Sequence, residues 1–179
     1  MAIVGGGVAG LSAAMFLARA QVGTAVFDQA ESSLYRVSRV NNYLGFPDGV
    51  SGASLIDLGR RQAQAFGAAL FDEDVRSVQR GPAGFTVQTA ARTVHADYLM
   101  LAANKRIDLA RSLGLELGGH GGRFVSVDGA GRTPIERCYA VGRITGAPSQ
   151  AITSAGDGAR TAIDIIQQIR GGYYVDHDT

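Results

Sequence analysis

The stretch AIVGGGVAGLSAAMFLARAQVGTAVFD, residues 2–28, constrains this chain more than any other segment. It orders an apolar run, a glycine turn, a helix-forming stretch, a second apolar run and an acid. Gly5, Gly7 and Gly10 stand as G-x-G-x-x-G directly behind Ile3-Val4, and Asp28 closes the run Thr24-Ala25-Val26-Phe27. In a chain with 25 glycines a bare triplet would carry little weight. The strand before it, the helix after it and the acid roughly 20 residues on make it the fingerprint of a dinucleotide-binding βαβ unit. Gly5 permits the tight turn out of the strand, Gly7 lets the backbone approach a pyrophosphate, and Gly10 lets the helix pack closely on the strands. Val8, Ala9, Gly10 and Leu11 form a first helical turn whose free N–H groups and positive dipole end suit phosphates. Asp28 is placed to accept hydrogen bonds from the adenosine ribose hydroxyls.

The same segment contains Ala18-Arg19-Ala20, which imitates a signal-peptide cleavage site. No basic region precedes it and Gly5-Gly6-Gly7 breaks the apolar run, so the glycine spacing accounts for it better. No other run approaches the roughly 18 apolar residues of a membrane span, and the expectation is a soluble, cytoplasmic protein. With 179 residues and a hydrophobic fraction of 46%, the chain can bury the core of one domain. Its net charge of +1, without a block of like charges, directs it to neither nucleic acid nor a membrane surface. Lys105 is the only lysine, so no lysine cluster offers a base. Cys138 is the only cysteine, which excludes an internal disulfide and a C-x-x-C redox pair. Its flanks, Arg137-Cys138-Tyr139-Ala140-Val141-Gly142, read as a strand around a buried thiol. His95, His120 and His177 share no spacing with one another or with acids, and read as surface or turn residues. No metal site is expected.

Beyond Asp28 an irregular stretch over 29–50 is long enough to be functional. The pattern then predicts a helix over 54–66 capped by Ser54, and short strands at 68–71 and 75–78. A hairpin pair follows at 85–89 and 93–96, then a strand at 98–103 apolar enough to be buried on both faces. Residues 107–123 read as helix or loop, ending in Gly118-Gly119-His120-Gly121-Gly122. His120 and Phe124 occupy glycine positions of any second G-x-G-x-x-G, so this cluster is a turn. Strands at 124–127 and 138–141 precede a final helix over 150–170, whose apolar stripe is Ile152, Ala155, Ala159, Ile163, Ile166 and Ile169.

Four segments together resemble the flavin-binding half of thioredoxin-reductase-like flavoproteins, relatives of the class II pyridine nucleotide-disulfide oxidoreductases. They are GGGVAGLSAAMFLARA at 5–20, RVNNYLGFPDGVSG at 39–52, YLMLAAN at 98–104 and CYAVGRITGAPSQAITSAGDGARTAIDII at 138–166. The resemblance implies an α/β fold: a three-layer, Rossmann-like FAD/NAD(P)-binding domain with a central parallel sheet and a small antiparallel sheet. It would span 1–179 as a single FAD-binding domain with a tail at 171–179. It implies FAD, with Gly5, Gly7, Val8, Ala9 and Gly10 at the pyrophosphate, Asp28 at the adenosine ribose and Val75 at the adenine. Asn42 matches the asparagine of the family's E-N-[WY]-x-G stretch beside the flavin. Ala102, Ala103 and Asn104 stand at its A-T-G turn, Gly142 and Arg143 at its Gly-Asp pair. Gln150, Ala151 and Ile152 would meet the pyrimidine edge of the flavin, and Gln29 and Arg39 complete the expected contacts. The start of the final helix, a positive dipole end, suits charge developing on a reduced flavin.

The departures matter equally. Family members insert a second, pyridine-nucleotide domain with a C-x-x-C dithiol where this chain runs from Asn104 to Phe124. Arg143 replaces an aspartate, and would pair with the pyrophosphate or reach the flavin. Asn104 replaces a glycine. These features predict a minimal FAD-dependent oxidoreductase without disulfide chemistry, fed by NAD(P)H or a partner protein, with a homodimer as a further expectation. The alternatives are a non-catalytic flavin-binding module, or the flavin subunit of a split reductase. An NAD-binding dehydrogenase domain is a third reading.

Overall fold

The opening pattern becomes strand β1 (Ala2–Val4), helix α1 (Val8–Arg19) and strand β2 (Ala25–Phe27) in the computed structural model, which describes residues 1–103 and 106–175. A 3-10 turn at Ser33–Arg36 leads to α2 (Gly52–Ala65) and β3 (Ala69–Phe71). Next, β4 (Ser77–Gly81), β5 (Gly84–Gln88) and β6 (Thr93–Ala96) form an antiparallel meander. The chain continues through β7 (Leu99–Leu101), α3 (Ile107–Ser112), β8 (Leu117–Gly118), β9 (Phe124–Val125) and β10 (Cys138–Ala140). A second 3-10 turn at Gly142–Thr145 leads into α4 (Ala151–Arg170).

Five of these strands make one parallel sheet in the order β10-β7-β1-β2-β3. Each is three residues long, so its middle side chain faces one way and its neighbours the other. Ile3, Val26, Met100 and Tyr139 face a core shared with Ala13 and Leu17 of α1 and with Ala162 and Ile165 of α4. Val4, Phe27, Leu101 and Ala140 face the opposite core, with Val78, Phe85 and Val87 of the meander and Leu109 of α3. Helices, parallel sheet and antiparallel sheet thus form the three layers that the resemblance implied.

Helices α1 and α4 lie very close. A Cβ on Gly158 would stand 2.1 Å from the carbonyl oxygen of Ala9, and the Ser12 hydroxyl donates to the Ala155 carbonyl at 2.8 Å. This approach corrects the predicted stripe on the final helix. Its buried face is Ala155, Gly158, Thr161, Ala162, Ile165 and Ile166, whereas Ile152 and Ile169 are 38% and 45% exposed. Only small residues fit where α1 crosses, so size rather than hydropathy sets that face.

Other boundaries shift for local reasons. α2 begins at Gly52, with Ser51 as its cap: the Ser51 hydroxyl accepts from the Ser54 N–H at 3.0 Å. Glycine is a poor helix former, but a Cβ here would lie 1.9 Å from the Leu34 carbonyl oxygen. Val75 is buried in the link before β4 rather than in a strand. The glycine cluster is a turn, with positive φ at Gly119, Gly121 and Gly122. Tyr174 is buried beneath the Arg170 guanidinium, 4.9 Å from the ring centroid, while Tyr173 is exposed. His177 lies outside the described residues.

Candidate cofactor site

Strand order reverses direction at β1: the chain proceeds to β2 and β3 on one side and to β7 and β10 on the other. In open α/β sheets, ligands bind in the crevice outside the carboxyl ends of the strands at such a point. A groove of about 960 Å³, part of it open to solvent, occupies that position. Its floor is the turn after β1, with Gly5, Gly7, Val8 and Ala9. One flank comes from Asp28 and Gln29 after β2, Ser32 and Ser33 at the start of the 3-10 turn, and Glu73, Asp74 and Val75 after β3. The other comes from Ala102, Ala103 and Arg106 after β7, Arg143 after β10, and Ser149, Gln150, Ala151 and Ser154 around the start of α4.

The four glycines of the opening turn divide into two kinds. Gly5 has φ 112°, and a Cβ there would lie 2.8 Å from the Ala102 carbonyl carbon. A Cβ on Gly10 would lie 2.0 Å from the Gly5 carbonyl oxygen, and one on Gly6 would strike the Asp28 side chain at 2.7 Å. These three are demanded by the protein's own packing. Gly7 is not: a Cβ there would meet only the Ser32 hydroxyl, at 3.7 Å. Its missing side chain leaves room in the groove itself.

The helix starts point the same way. α2, away from the groove, has a serine cap, whereas neither α1 nor α4 has a side-chain cap, and both begin in the groove wall. Their first N–H groups are therefore free for an anion. At the far end, Asp28 is 8% exposed and its Oδ2 is fully buried without a hydrogen-bond partner. Arg60 Nη1 stands 3.9 Å from that oxygen, but the same guanidinium holds Asp72 at 2.6 Å. A buried acceptor without a donor is a costly arrangement unless a ligand completes it. Open backbone donors in the middle and an orphan carboxylate at one end fit the diphosphate and ribose of a dinucleotide.

Neighbouring side chains shape that end. The Arg92 guanidinium and the Thr89 hydroxyl both engage Glu73, each at 2.6 Å, and hold its carboxyl below the usual range. Asp74 accepts from both Gln29 Nε2 and Arg106 Nη1, and Arg106 also grips Asp108 at 2.9 Å. At the other end Asn42 Nδ2 donates to Gln150 Oε1 at 2.9 Å, tying the 29–50 stretch to the start of α4.

Of the residues read from sequence, Gly5, Gly7, Val8, Ala9, Asp28, Gln29, Val75, Ala102, Ala103, Arg143, Gln150 and Ala151 come together in the groove wall. Gly10 lies beneath it, in contact with Gly5. Gly142 is buried, its N–H given to Asp157 Oδ2 at 2.6 Å. Arg39 and Ile152 are exposed and Asn42 reaches the site through Gln150; none of the three lines the groove. Asn104 lies outside the described residues. Sequence reasoning missed Glu31, Ser32, Ser33, Leu34, Glu73, Asp74, Arg106, Ser149 and Ser154. Positions just after each parallel strand would have indicated Glu73, Asp74 and Arg106; the serines carry no such signal.

The chain's one thiol stands apart from this chemistry. Cys138 is buried in β10, and burial pushes its thiol up to about 11, against the opposing Thr133 hydrogen bond and the Arg80 charge. A thiol so protonated is a poor nucleophile. Native protein is expected to react with a thiol-specific disulfide reagent far more slowly than urea-unfolded protein. Equal rates would mean that the β10 edge opens readily. Among the described residues no cluster of His, Cys, Asp or Glu is arranged to hold a metal ion, and no helix is long and apolar enough to cross a membrane.

Fold and groove together define a dinucleotide-binding domain. The family model described as glucose inhibited division protein A (GIDA) matches residues 1–127, and the chain belongs to that family, whose cofactor is FAD. Among curated relatives, NADPH-dependent thioredoxin reductase 3 of Arabidopsis thaliana is 37% identical over 118 residues, which is 61% of this chain and 22% of that protein. Thioredoxin reductase of Streptomyces coelicolor is 41% identical over 96 residues, 52% of this chain and 30% of that one. The chain thus spans a third or less of these relatives' length. Among solved structures, the atypical thioredoxin reductase TRi of Desulfovibrio vulgaris Hildenborough superposes with a TM-score of 0.86 at 21% identity, covering 95% of this chain and 97% of that one. That likeness concerns the fold. The chain is therefore an FAD-binding domain, similar in part of its sequence and in its fold to thioredoxin reductases.

Proposed function

We propose that residues 1–179 act as one FAD-binding unit of an oxidoreductase whose electrons come from outside the chain, from NAD(P)H or from a partner protein. The observation that carries this reading is internal. The stretch from Ala103 to Phe124, whose described residues form α3, β8 and turns, is too short for a second nucleotide-binding unit, and the one cysteine is buried. FAD, when bound, supplies the hydride or electron transfer. The protein's part is to hold and orient it. Backbone N–H groups of the β1–α1 turn would take the diphosphate, Asp28 the ribose, and the uncapped start of α4 the pyrimidine edge. Gln150, steadied by Asn42, would fix the flavin end against sliding.

One observation favours a flavin subunit that works with a partner. Leu44, in the stretch whose Asn42 holds Gln150, is 87% exposed, and Ile152 two residues beyond Gln150 is 38% exposed. Isolated apolar exposure is ordinary, but here it rims the expected flavin end. A cytoplasmic setting and a homodimer belong to the same reading; light scattering tests the latter.

The deciding experiment is the visible spectrum of the purified protein, followed by titration with NADH and NADPH without oxygen. Bleaching by either nucleotide identifies a self-sufficient flavoenzyme and names its donor. A flavin that stays oxidised supports the partner-dependent form. A protein that cannot be loaded with FAD overturns both.

A further inference from the structure

Arg143 lines the groove, and the sequence leaves open whether it serves the pyrophosphate or the flavin. The turn carrying it is fixed from three sides. A Cβ on Gly142 would lie 2.9 Å from Ala9 Cβ, so the turn packs on the first turn of α1. The Gly142 N–H donates to Asp157 Oδ2 of α4 at 2.6 Å, and the Thr145 hydroxyl donates to the Gly142 carbonyl at 2.8 Å. From this rigid base an exposed guanidinium reaches outward, and its Nη1 donates to the Ser33 hydroxyl at 3.3 Å. Arg143 follows β10 and Ser33 follows β2, and in the sheet these strands lie on opposite sides of β1. Their contact therefore bridges the groove above the glycine turn that follows β1.

Charge distinguishes this arginine from its neighbours. Arg106, the other cation in the groove wall among the described residues, is held by Asp74 and Asp108. Among the described residues no carboxylate lies within ion-pair distance of Arg143, whose one partner is a neutral hydroxyl. The acids of the groove, Asp28, Glu31, Glu73 and Asp74, all follow β2 or β3 at the adenosine end. A loosely held guanidinium beside uncapped helical N–H groups meets the needs of a doubly charged phosphate group, which its planar fork can grip at two oxygens.

We propose that Arg143 is a clasp for the diphosphate of the cofactor: it leaves Ser33 on loading and closes over the phosphates from the side opposite the glycine turn. This rests on the FAD reading above and assigns the residue where the resemblance implies an aspartate. The groove would then select ligands by their diphosphate, and part of its affinity would be screened by salt.

The test uses flavin-free protein titrated calorimetrically with FAD, ADP and adenosine, in wild type, Arg143→Gln and Arg143→Lys. Arg143→Gln is expected to weaken FAD and ADP by at least about tenfold, as befits a lost charge-assisted contact, with adenosine unaffected. The loss should shrink at high salt, and Arg143→Lys should recover part of it. The reduction potential of flavin bound to Arg143→Gln should match wild type. Unchanged ADP affinity overturns the clasp, as does an equal loss for adenosine, which would mark general damage to the groove. A lowered potential with undiminished ADP binding would put the guanidinium on the flavin ring, and also overturns it. Wild type that takes neither FAD nor ADP defeats the parent reading itself, a result visible before any variant is compared.

Discussion

Replacing Gly158 with alanine is expected to destabilise the protein by about 2 kcal/mol, whereas the same change at Gly156, two residues earlier in the same helix, should stabilise it. Alanine gains about 1 kcal/mol over glycine in a helix interior. At Gly156 nothing lies within 4 Å of the added Cβ, so that gain stands alone. At Gly158 the new methyl would lie 2.1 Å from the Ala9 carbonyl oxygen, 2.9 Å from its carbon and 3.2 Å from the Ala13 nitrogen. All three atoms are backbone, so no side chain can turn away and the helices must part. Overpacking of this kind costs up to about 3 kcal/mol, which exceeds the propensity gain and leaves the net loss stated. For a chain of this length that lowers Tm by roughly 4–8 °C. FAD affinity should fall with it, since Ala9 belongs to the groove floor. Thermal unfolding of both variants decides the matter: shifts of the same sign would mean that the α1–α4 approach does not constrain Gly158.

The contrast between these glycines also marks the limit of what the sequence discloses. The strand–glycine–helix–strand–acid pattern was legible because most of its constraints are local: Gly6 answers to Asp28 and Gly10 to the Gly5 carbonyl, and Gly5, though it also meets Ala102 and Ala103, is required by its own φ of 112°. The resemblance implies the three layers, and the run at 98–103 reads as buried on both faces; the structure shows that burial with Met100 facing the helices and Leu101 facing the meander. The face of α4 was misread in part: Ala155 and Ile166 are buried as expected, but the close approach of α1, remote in sequence, buries Gly158, Thr161 and Ala162 and leaves Ile152 and Ile169 exposed. The site divides similarly. Residues beside the fingerprint or the quoted family segments were found, whereas Ser32 and Ser33 owe their places to a 3-10 turn inside an irregular stretch. Arg106 was missed although its place after β7 marks it for the groove wall; what its local pattern does not disclose is its partner Asp74, 32 positions earlier.

Asp28→Ala should separate binding from stability most sharply. Loss of one or two hydrogen bonds to a charged acceptor, at about 1.5–3 kcal/mol each, would weaken FAD at least about tenfold and by up to about four decades. Stability of the flavin-free protein should not fall. Asp28 Oδ2 is buried with no hydrogen-bond partner, and removing an incompletely satisfied buried charge relieves a desolvation cost. Arg60 would not be stranded, because its 2.6 Å contact with Asp72 remains. The alanine keeps the Cβ that packs against Gly6, so the turn below need not move. FAD titration by fluorescence quenching and thermal unfolding of the flavin-free variant read the two effects independently. Unchanged affinity would remove Asp28 from the ribose site. A large drop in flavin-free stability would mean that the carboxylate serves the fold, its attraction to Arg60 at 3.9 Å outweighing its burial. Weakened binding with undiminished stability is the signature of an acceptor held in place for a ligand.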